Sequence, residues 1–162
     1  MTEDTTLRIE RLVAASAESL FRAWTTREAM ETWYRDRPDD VVRVVALDVR
    51  VGGNYRVEFG PAGQPPYVES GQYREIDAPH RLVMSESLDG PDGTLWSDTT
   101  VTVTLTAEGG KTRLVLLHER FPTTDARNGA ASGWPGFLDR IEVAAAQPSV
   151  WTAAARRSDG QS

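Results

Sequence analysis

Histidine is the side chain best suited to acid–base chemistry near neutral pH, and this chain has two, His80 and His118. His118 lies in a predicted strand over residues 112–119. One face of that strand begins and ends with the charged residues Arg113 and Glu119, so we expect the other face, with His118, to point inward near the mouth of the core. An inward histidine is either a hydrogen-bonded interior group or a residue that contacts a ligand or transfers protons. His80 lies in a predicted turn, where we expect it to be solvated.

Glu86 is the carboxylate best placed to join His118 in such chemistry. It shares strand parity with Leu82, Met84 and Leu88, so an unbroken strand turns it inward. A buried carboxylate needs a partner or a raised pKa, which makes Glu86 a candidate site residue. An edge position in contact with solvent is the alternative. His118 with Glu86, or with a tyrosine, could form the acid–base pair of a cyclase- or hydrolase-type enzyme.

The sequence lacks the residues and motifs that thiolate, metal-dependent, phosphate-binding and serine-nucleophile chemistry would need. The chain has no cysteine, which removes thiolate nucleophiles, disulfides and cysteine-based metal sites. The two histidines are far apart in the sequence and no H-E-x-x-H motif is present. Lys111 is the only lysine, so no phosphate-binding P-loop can form, and no serine lies in a G-x-S-x-G turn. We therefore expect no metal and no cofactor.

The composition limits the partners. A length of 162 residues suits one domain, and 40% hydrophobic residues favour a packed globule over disorder. Lys and Arg total 18 against 24 Asp and Glu, a net charge of −6 that disfavours binding to nucleic acid or to an anionic membrane. The first residues lack the apolar stretch of a secretion signal, and no apolar run could span a membrane. We expect a cytoplasmic protein.

Aromatic residues are the strongest remaining signal. Five Trp stand beside four Phe and four Tyr, although Trp is normally the scarcest of the three. Periodicity turns most of these rings toward the inside, where large rings either fill a core or line an apolar cavity that has a few polar groups. The predicted ligand-binding residues are Trp24, Trp33, Tyr55, Phe59, Tyr73, Met84, Trp96, His118, Trp134, Phe137 and Leu138.

The elements that would position these residues begin with a strand. Alternation of apolar residues predicts it at 7–13, and helical spacing then predicts two short helices with Ser16 and Thr26 as N-caps. Between residues 41 and 119, turn residues separate six short strands, the first of them at 41–51.

A longer helix follows the strands. Because a proline fits without disruption only in the first helical turn, Pro135 predicts a helix that starts near Ser132 or Gly133, and Pro148 ends it. The predicted organisation is an N-terminal tail at 1–6, one domain at 7–146 and a C-terminal tail at 147–162.

This element order predicts the fold class. Consecutive hairpins form an antiparallel sheet with one face solvated and one face covered, and the C-terminal helix is the main element able to cover it. We expect an α+β fold in which a curved antiparallel sheet of about six or seven strands wraps around the long C-terminal helix.

Five short segments occur in the order typical of one known family: SAESLFRAWT at 16–25 followed by Trp33, RVGGNY at 50–55, GQYREI at 71–76, RLV at 81–83 and GW at 133–134. Together they resemble the activator of heat-shock protein 90 ATPase homologue-like family, of the bacterial single-domain type, within the START/SRPBCC superfamily. The similarity covers about residues 7–146. It implies a helix-grip fold with a deep cavity between the sheet and the C-terminal helix.

Relatives in that superfamily have several functions, which include co-chaperone domains, lipid and polyketide binders and aromatase/cyclases. Residues 127–135 are also similar to enediyne self-sacrifice resistance proteins. Our leading hypothesis is the binding of a small hydrophobic or aromatic molecule, lipid-like or polyketide-like, by a monomer or homodimer. The alternatives are an acid–base enzyme that uses His118, and a chaperone-interaction, stress or self-resistance protein.

Overall fold

The computed structural model describes residues 5–146, so the expected C-terminal tail, with Pro148, and most of the expected N-terminal tail lie outside the described residues. Seven strands and three helices follow one another. In chain order they are β1 (Leu7–Val13), α1 (Ala17–Thr25), α2 (Arg27–Trp33), β2 (Asp40–Leu47), β3 (Asn54–Pro61), β4 (Tyr67–Asp77), β5 (Arg81–Asp89), β6 (Leu95–Glu108), β7 (Lys111–Glu119) and α3 (Thr124–Ala145).

All seven strands form one antiparallel sheet in the order β1-β7-β6-β5-β4-β3-β2. Strands β2 to β7 pair as successive hairpins, and β1 returns to pair with β7, so that Leu7 lies opposite His118. The three helices cover one face of this sheet and pack against one another. The predicted α+β helix-grip architecture is confirmed.

The turn after β2 begins earlier than predicted. Strand β2 ends at Leu47 rather than at residue 51, because residues 48–53 fold back in a turn in which the Gly53 amide donates to the Arg50 carbonyl at 2.8 Å. Only glycine fits at position 53. A Cβ atom there would lie 2.0 Å from the carbonyl oxygen of Asp48.

Helix α3 begins eight residues before the predicted start near Ser132. Thr123 is its N-cap, with a side chain that accepts a hydrogen bond from the Ala126 amide at 3.1 Å, and Pro135 lies inside the helix. The prediction was wrong because an internal proline, which costs about 3 kcal/mol, is offset here by this cap and by tertiary contacts of the same turns. The carbonyl of Pro135, for example, accepts a hydrogen bond from Arg11 at 3.3 Å.

The packed core lies between the sheet and the last turns of α3. Leu20 of α1, Leu116 of β7 and Ile141 of α3 are fully buried there. Helix α1 is held at its start by Ser16, whose hydroxyl accepts from the Ser19 amide at 3.1 Å. The earlier turns of α3 contain no buried residue, and the space beneath them is not filled by the core.

Candidate functional site

A cavity of about 470 Å³ lies between the concave face of the sheet and the first turns of α3. Its wall comes from α1, α2, every strand from β3 to β7, and α3, and it contains eleven aromatic rings besides His118. The lining residues are Trp24, Met30, Trp33, Tyr34, Tyr55, Phe59, Tyr67, Glu69, Tyr73, Met84, Glu86, Leu88, Trp96, Ser97, Val101, His118, Phe121, Ala126, Gly129, Ala130, Gly133, Trp134 and Phe137.

The residues predicted to bind a ligand lie together on this wall, with one exception. Leu138 is 1% exposed and packs in the core instead of facing the cavity. It follows Phe137 directly, and because adjacent helical residues point about 100° apart, Leu138 turns toward the packed core while Phe137 faces the cavity. Trp96 marks the rim of the cavity, because it is 51% exposed and meets Tyr67 edge to face at 5.3 Å.

Ring-to-ring contacts hold the aromatic wall in place. Trp33 stacks on Tyr34 with centroids 4.3 Å apart, and Phe137 meets Trp33 edge-on at 6.1 Å. The indole N–H of Trp33 donates to the Ala23 carbonyl at 2.7 Å, so it does not face the cavity unpaired. Each such pair restrains its neighbours, which favours a cavity that is formed before any ligand enters.

The space exists because the inward face of early α3 carries small residues. Ala126, Gly129, Ala130 and Gly133 contribute almost no side-chain volume where a helix of this fold could project large residues into the core. A Cβ atom added at Gly129 or Gly133 would meet no other atom within 4 Å.

His118 points inward as predicted and is 2% exposed. The indole N–H of Trp134 donates to its Nδ1 at 3.0 Å, and its Nε2 lies 2.6 Å from the hydroxyl of Thr99. Tryptophan can only donate, so Nδ1 is unprotonated and Nε2 carries the hydrogen, which it donates to Thr99. The Thr99 hydroxyl in turn donates to the backbone carbonyl of Glu86 at 3.3 Å. The imidazole is therefore neutral and fixed in one tautomer.

Glu86 also points inward, with a side chain that is 12% exposed and one carboxyl oxygen 3.7 Å from Nε2 of His118. Burial, together with the nearby charge of Glu69, raises the pKa of Glu86 well above its usual value. A neutral Glu86 supplies no countercharge for an imidazolium. Burial accordingly lowers the pKa of His118 to about 4 although a carboxyl lies beside it.

Glu69 and Tyr34 are cavity residues that the sequence analysis did not select. The Tyr34 hydroxyl donates a hydrogen bond to the carboxyl of Glu69. Burial raises the pKa of Glu69 to about 7, and the hydrogen bond from Tyr34 opposes part of that rise. The sequence did contain a signal for Glu69. Its position has the same parity as those of Tyr67 and Tyr73, so all three side chains lie on the same face of β4.

Three further findings concern metal ligation, membrane spanning and His80. Within residues 5–146, no group of three or more side chains suited to metal ligation is found, and no described helix is long and apolar enough to cross a membrane. His80 is exposed, as expected, and one of its ring nitrogens lies 3.3 Å from the Leu105 carbonyl, away from the cavity.

Comparison with known proteins shows the family of this chain. Residues 14–146 match the family model described as Activator of Hsp90 ATPase homolog 1-like protein. No match was found among curated proteins.

Solved structures from several bacteria share the fold. A protein from Chromobacterium violaceum is 26% identical with a TM-score of 0.75, and the match covers 86% of this chain and 95% of that one. A protein from Rhizobium loti is 27% identical with a TM-score of 0.72 and the same two coverages. A third, from Rhodobacter sphaeroides, is 26% identical with a TM-score of 0.70 over 93% of each chain.

Proposed function

This chain belongs to the family of Activator of Hsp90 ATPase homolog 1-like proteins, and from that premise we propose that it binds a small, largely apolar or aromatic molecule in the cavity between the sheet and α3. The observation that carries the proposal is the cavity itself, about 470 Å³ with eleven aromatic rings in its wall. Sites for small molecules typically have volumes of about 300–1,000 Å³, apolar walls and a few polar groups that orient the ligand.

The shape of early α3 supports this function over a purely structural one. A protein interior is normally packed without voids larger than a water molecule. Here the residues that could close the space, Gly129 and Gly133, are the smallest available, although glycine costs about 1 kcal/mol relative to alanine inside a helix. Stability alone would favour larger residues at both positions, so their smallness suits the admission of a ligand.

The test is a titration with N-phenyl-1-naphthylamine, a neutral apolar probe that fluoresces when it leaves water. We expect binding tighter than about 1 mM, which corresponds to about −4 kcal/mol. Gly133→Phe should fill the cavity and abolish the signal. Gly133→Ala is the matched control, because it changes helix propensity at the same position but adds almost no volume.

Two results would contradict the proposal. One is the absence of binding to the unaltered protein at 1 mM probe. The other is a Gly133→Phe variant that remains folded and binds the probe as tightly as Gly133→Ala does, since the probe would then occupy some other surface.

A cyclase- or hydrolase-type reaction is the second candidate, favoured by the 3.7 Å approach of His118 and Glu86 in the cavity wall. Binding without turnover ranks first because Trp134 and Thr99 already engage both ring nitrogens of His118. With a pKa of about 4, the imidazole is also a weak base at neutral pH.

A further inference from the structure

Building on the ligand-binding function proposed above, we propose that the molecule bound in this cavity carries a positively charged nitrogen, such as a protonated amine, on its apolar or aromatic body. Three observations support this inference. Two carboxyl groups face the cavity, no lysine or arginine is among the lining residues, and aromatic rings surround the carboxyl groups.

The ionisable side chains on the cavity wall are acidic or neutral. Glu69 comes from β4 and Glu86 from β5, whereas no lysine or arginine is among the lining residues. His118 of β7 is held neutral by its hydrogen bonds. The other titratable groups on the wall are the tyrosines: burial raises the pKa values of Tyr34, Tyr55 and Tyr73, so they stay uncharged, and Tyr67 is the fourth.

Two guanidinium groups of the helices that border the cavity are engaged elsewhere. Arg140 of α3 lies against the Phe137 ring, 4.8 Å from its centroid, and donates to the Trp33 carbonyl at 2.9 Å. Arg27 donates to the Val44 carbonyl. Neither is among the lining residues, so residues 5–146 supply no cation to pair with the two carboxyl groups.

Within residues 5–146 no hydrogen bond to the Glu86 carboxyl is found, and one of its oxygens lies 3.7 Å from Nε2 of His118. A carboxyl group on an apolar cavity wall loses part of its hydration, which costs folding free energy unless a partner compensates for the loss. An apolar ligand alone would gain nothing from this group. A ligand with a charged nitrogen would offset the cost by donating a hydrogen bond to this neutral carboxyl group and by pairing with the ionised carboxylate of Glu69.

The aromatic wall suits the same chemistry. The rings of Tyr34, Tyr55 and Phe59 lie close to Glu69, with Tyr34 and Phe59 centroids 5.4 Å apart. The faces of such rings attract cations, and the attraction is largest where water is excluded. Rings and carboxyl groups therefore favour the same ligand, whereas an anionic molecule of similar size would meet two acids and no base.

Cation binding should also change the protonation of Glu69. With a pKa of about 7, the carboxyl is about half protonated at pH 7. A positive charge beside it favours the ionised form, so binding at pH 7 should release up to about half a proton for each ligand bound. A neutral ligand should release none.

The experiment compares three probes that share one ring system and differ in the polar group: 2-naphthylmethylammonium, 2-naphthylmethanol and 2-naphthoate. At pH 8 we expect the ammonium probe to bind at least tenfold more tightly than the alcohol, and the carboxylate to bind most weakly. At pH 6, where Glu69 is mostly protonated, the ratio of ammonium to alcohol affinity should fall at least fivefold. Calorimetry in two buffers of different ionisation enthalpy measures the proton release.

Glu69→Gln tests the origin of the preference. The amide keeps an acceptor for the Tyr34 hydroxyl but cannot ionise, so the ratio of ammonium to alcohol affinity should fall to within threefold of one. Glu75→Gln is the matched control, since it makes the same change at an exposed position of the same strand, where Glu75 pairs with Arg81, and should keep the full ratio. If Glu69→Gln does not fold, the proton release that the ammonium probe causes in the unaltered protein tests the role of Glu69 instead.

The outcomes separate this inference from the function on which it rests. Equal binding of the ammonium and alcohol probes at pH 8, or tighter binding of 2-naphthoate, overturns the cation inference and leaves apolar binding standing. Binding of N-phenyl-1-naphthylamine without binding of 2-naphthylmethylammonium at 1 mM has the same meaning. If none of the four probes binds, the proposed function itself is refuted, and the cation inference, which depends on it, is refuted as well.

Discussion

Residues 124–137 and residues 138–145 of α3 face two different surroundings, although they belong to one continuous helix. None of the first group is buried, and several of them line the cavity. In the second group, Leu138 and Ile141 are at most 1% exposed, and Ala144 and Ala145 are buried with them. One end of the space under the helix is packed and the other end is a cavity, so stability and binding depend on different turns of the same element.

Side-chain size at the inward positions accounts for the difference. The packed end buries the branched side chains of Leu138 and Ile141 together with two alanines, whereas the cavity end presents glycines, alanines and the two rings of Trp134 and Phe137. A substitution at one end should therefore leave the property of the other end largely unchanged. Four substitutions, at Ile141, His118, Glu69 and Arg11, test this independence.

Ile141→Ala should have the largest effect, because it truncates a fully buried side chain at the packed end. Loss of burial plus the remaining void should lower the free energy of unfolding by about 4 kcal/mol. Urea unfolding measures this value. A loss below about 1 kcal/mol would show that the packed end does not carry the stability assigned to it.

His118→Ala tests whether the cavity end has a structural residue of its own. The substitution leaves the Trp134 N–H and the Thr99 hydroxyl without their imidazole partner, so we expect a loss of about 3 kcal/mol at pH 7. His118→Gln, which can keep part of this hydrogen bonding, should lose less. An unchanged unfolding curve together with abolished turnover of an identified substrate would instead favour the acid–base enzyme.

Glu69→Gln should stabilise the protein at high pH only. The folded state raises the pKa of Glu69 from 4.5 to about 7, so it binds this proton more tightly than the unfolded chain does. The contribution of Glu69 to stability therefore falls as the pH rises from 4.5 to 7. We expect Glu69→Gln to be about 2 kcal/mol more stable than the unaltered protein at pH 8 and nearly equal to it at pH 4.

The unaltered protein and Glu69→Gln must be compared with each other at each pH, because the contribution of His118 to stability changes with pH in the opposite direction. Its pKa falls from 6.5 to about 4 on folding, so its contribution to stability rises with pH between those values. Since His118 is present in both proteins, its contribution cancels in their difference. A stability difference that does not change between pH 4 and pH 8 would refute the assignment to Glu69.

Arg11→Met should have the smallest effect. Arg11 of β1 pairs with Asp139 at 2.8 Å and Glu142 at 2.7 Å, and its contact with the Pro135 carbonyl ties both ends of α3 to one strand. These groups are partly exposed, so the loss should be about 0.5–1 kcal/mol and should shrink in high salt. A loss that is larger than that of His118→Ala would mean that the two ends of α3 are mechanically coupled through this residue.

Strand alternation predicted much of the site. It predicted that the side chains of His118 and Glu86 point inward, and both lie on the cavity wall in the structure. Alternation on β4 would have selected Glu69 as well, but an acidic residue between two tyrosines also fits a solvated strand, and only the sheet order brings it beside Tyr34 and Glu86.

Other features depended on tertiary context that local rules do not contain. Pro135 predicted a helix start on sound local grounds, and the longer helix is explained by the Thr123 cap and the contact with Arg11. Leu138 was assigned to the cavity together with Phe137, although rotation about the helix axis separates them. The neutral state of His118 required knowledge of Trp134 Nε1 and Thr99, which lie on different elements.

The pairing of β1 with β7 has a consequence for how the protein is made. About 100 residues separate the two strands in the sequence, with Val13 opposite Thr112. At a synthesis rate of roughly 5–20 residues per second, β1 leaves the ribosome roughly 5–20 s before its partner does. During that interval its apolar side chains have no strand to pair with on that edge, and contacts of such long sequence separation form slowly. Sheet closure and cavity formation therefore both await the last third of the chain.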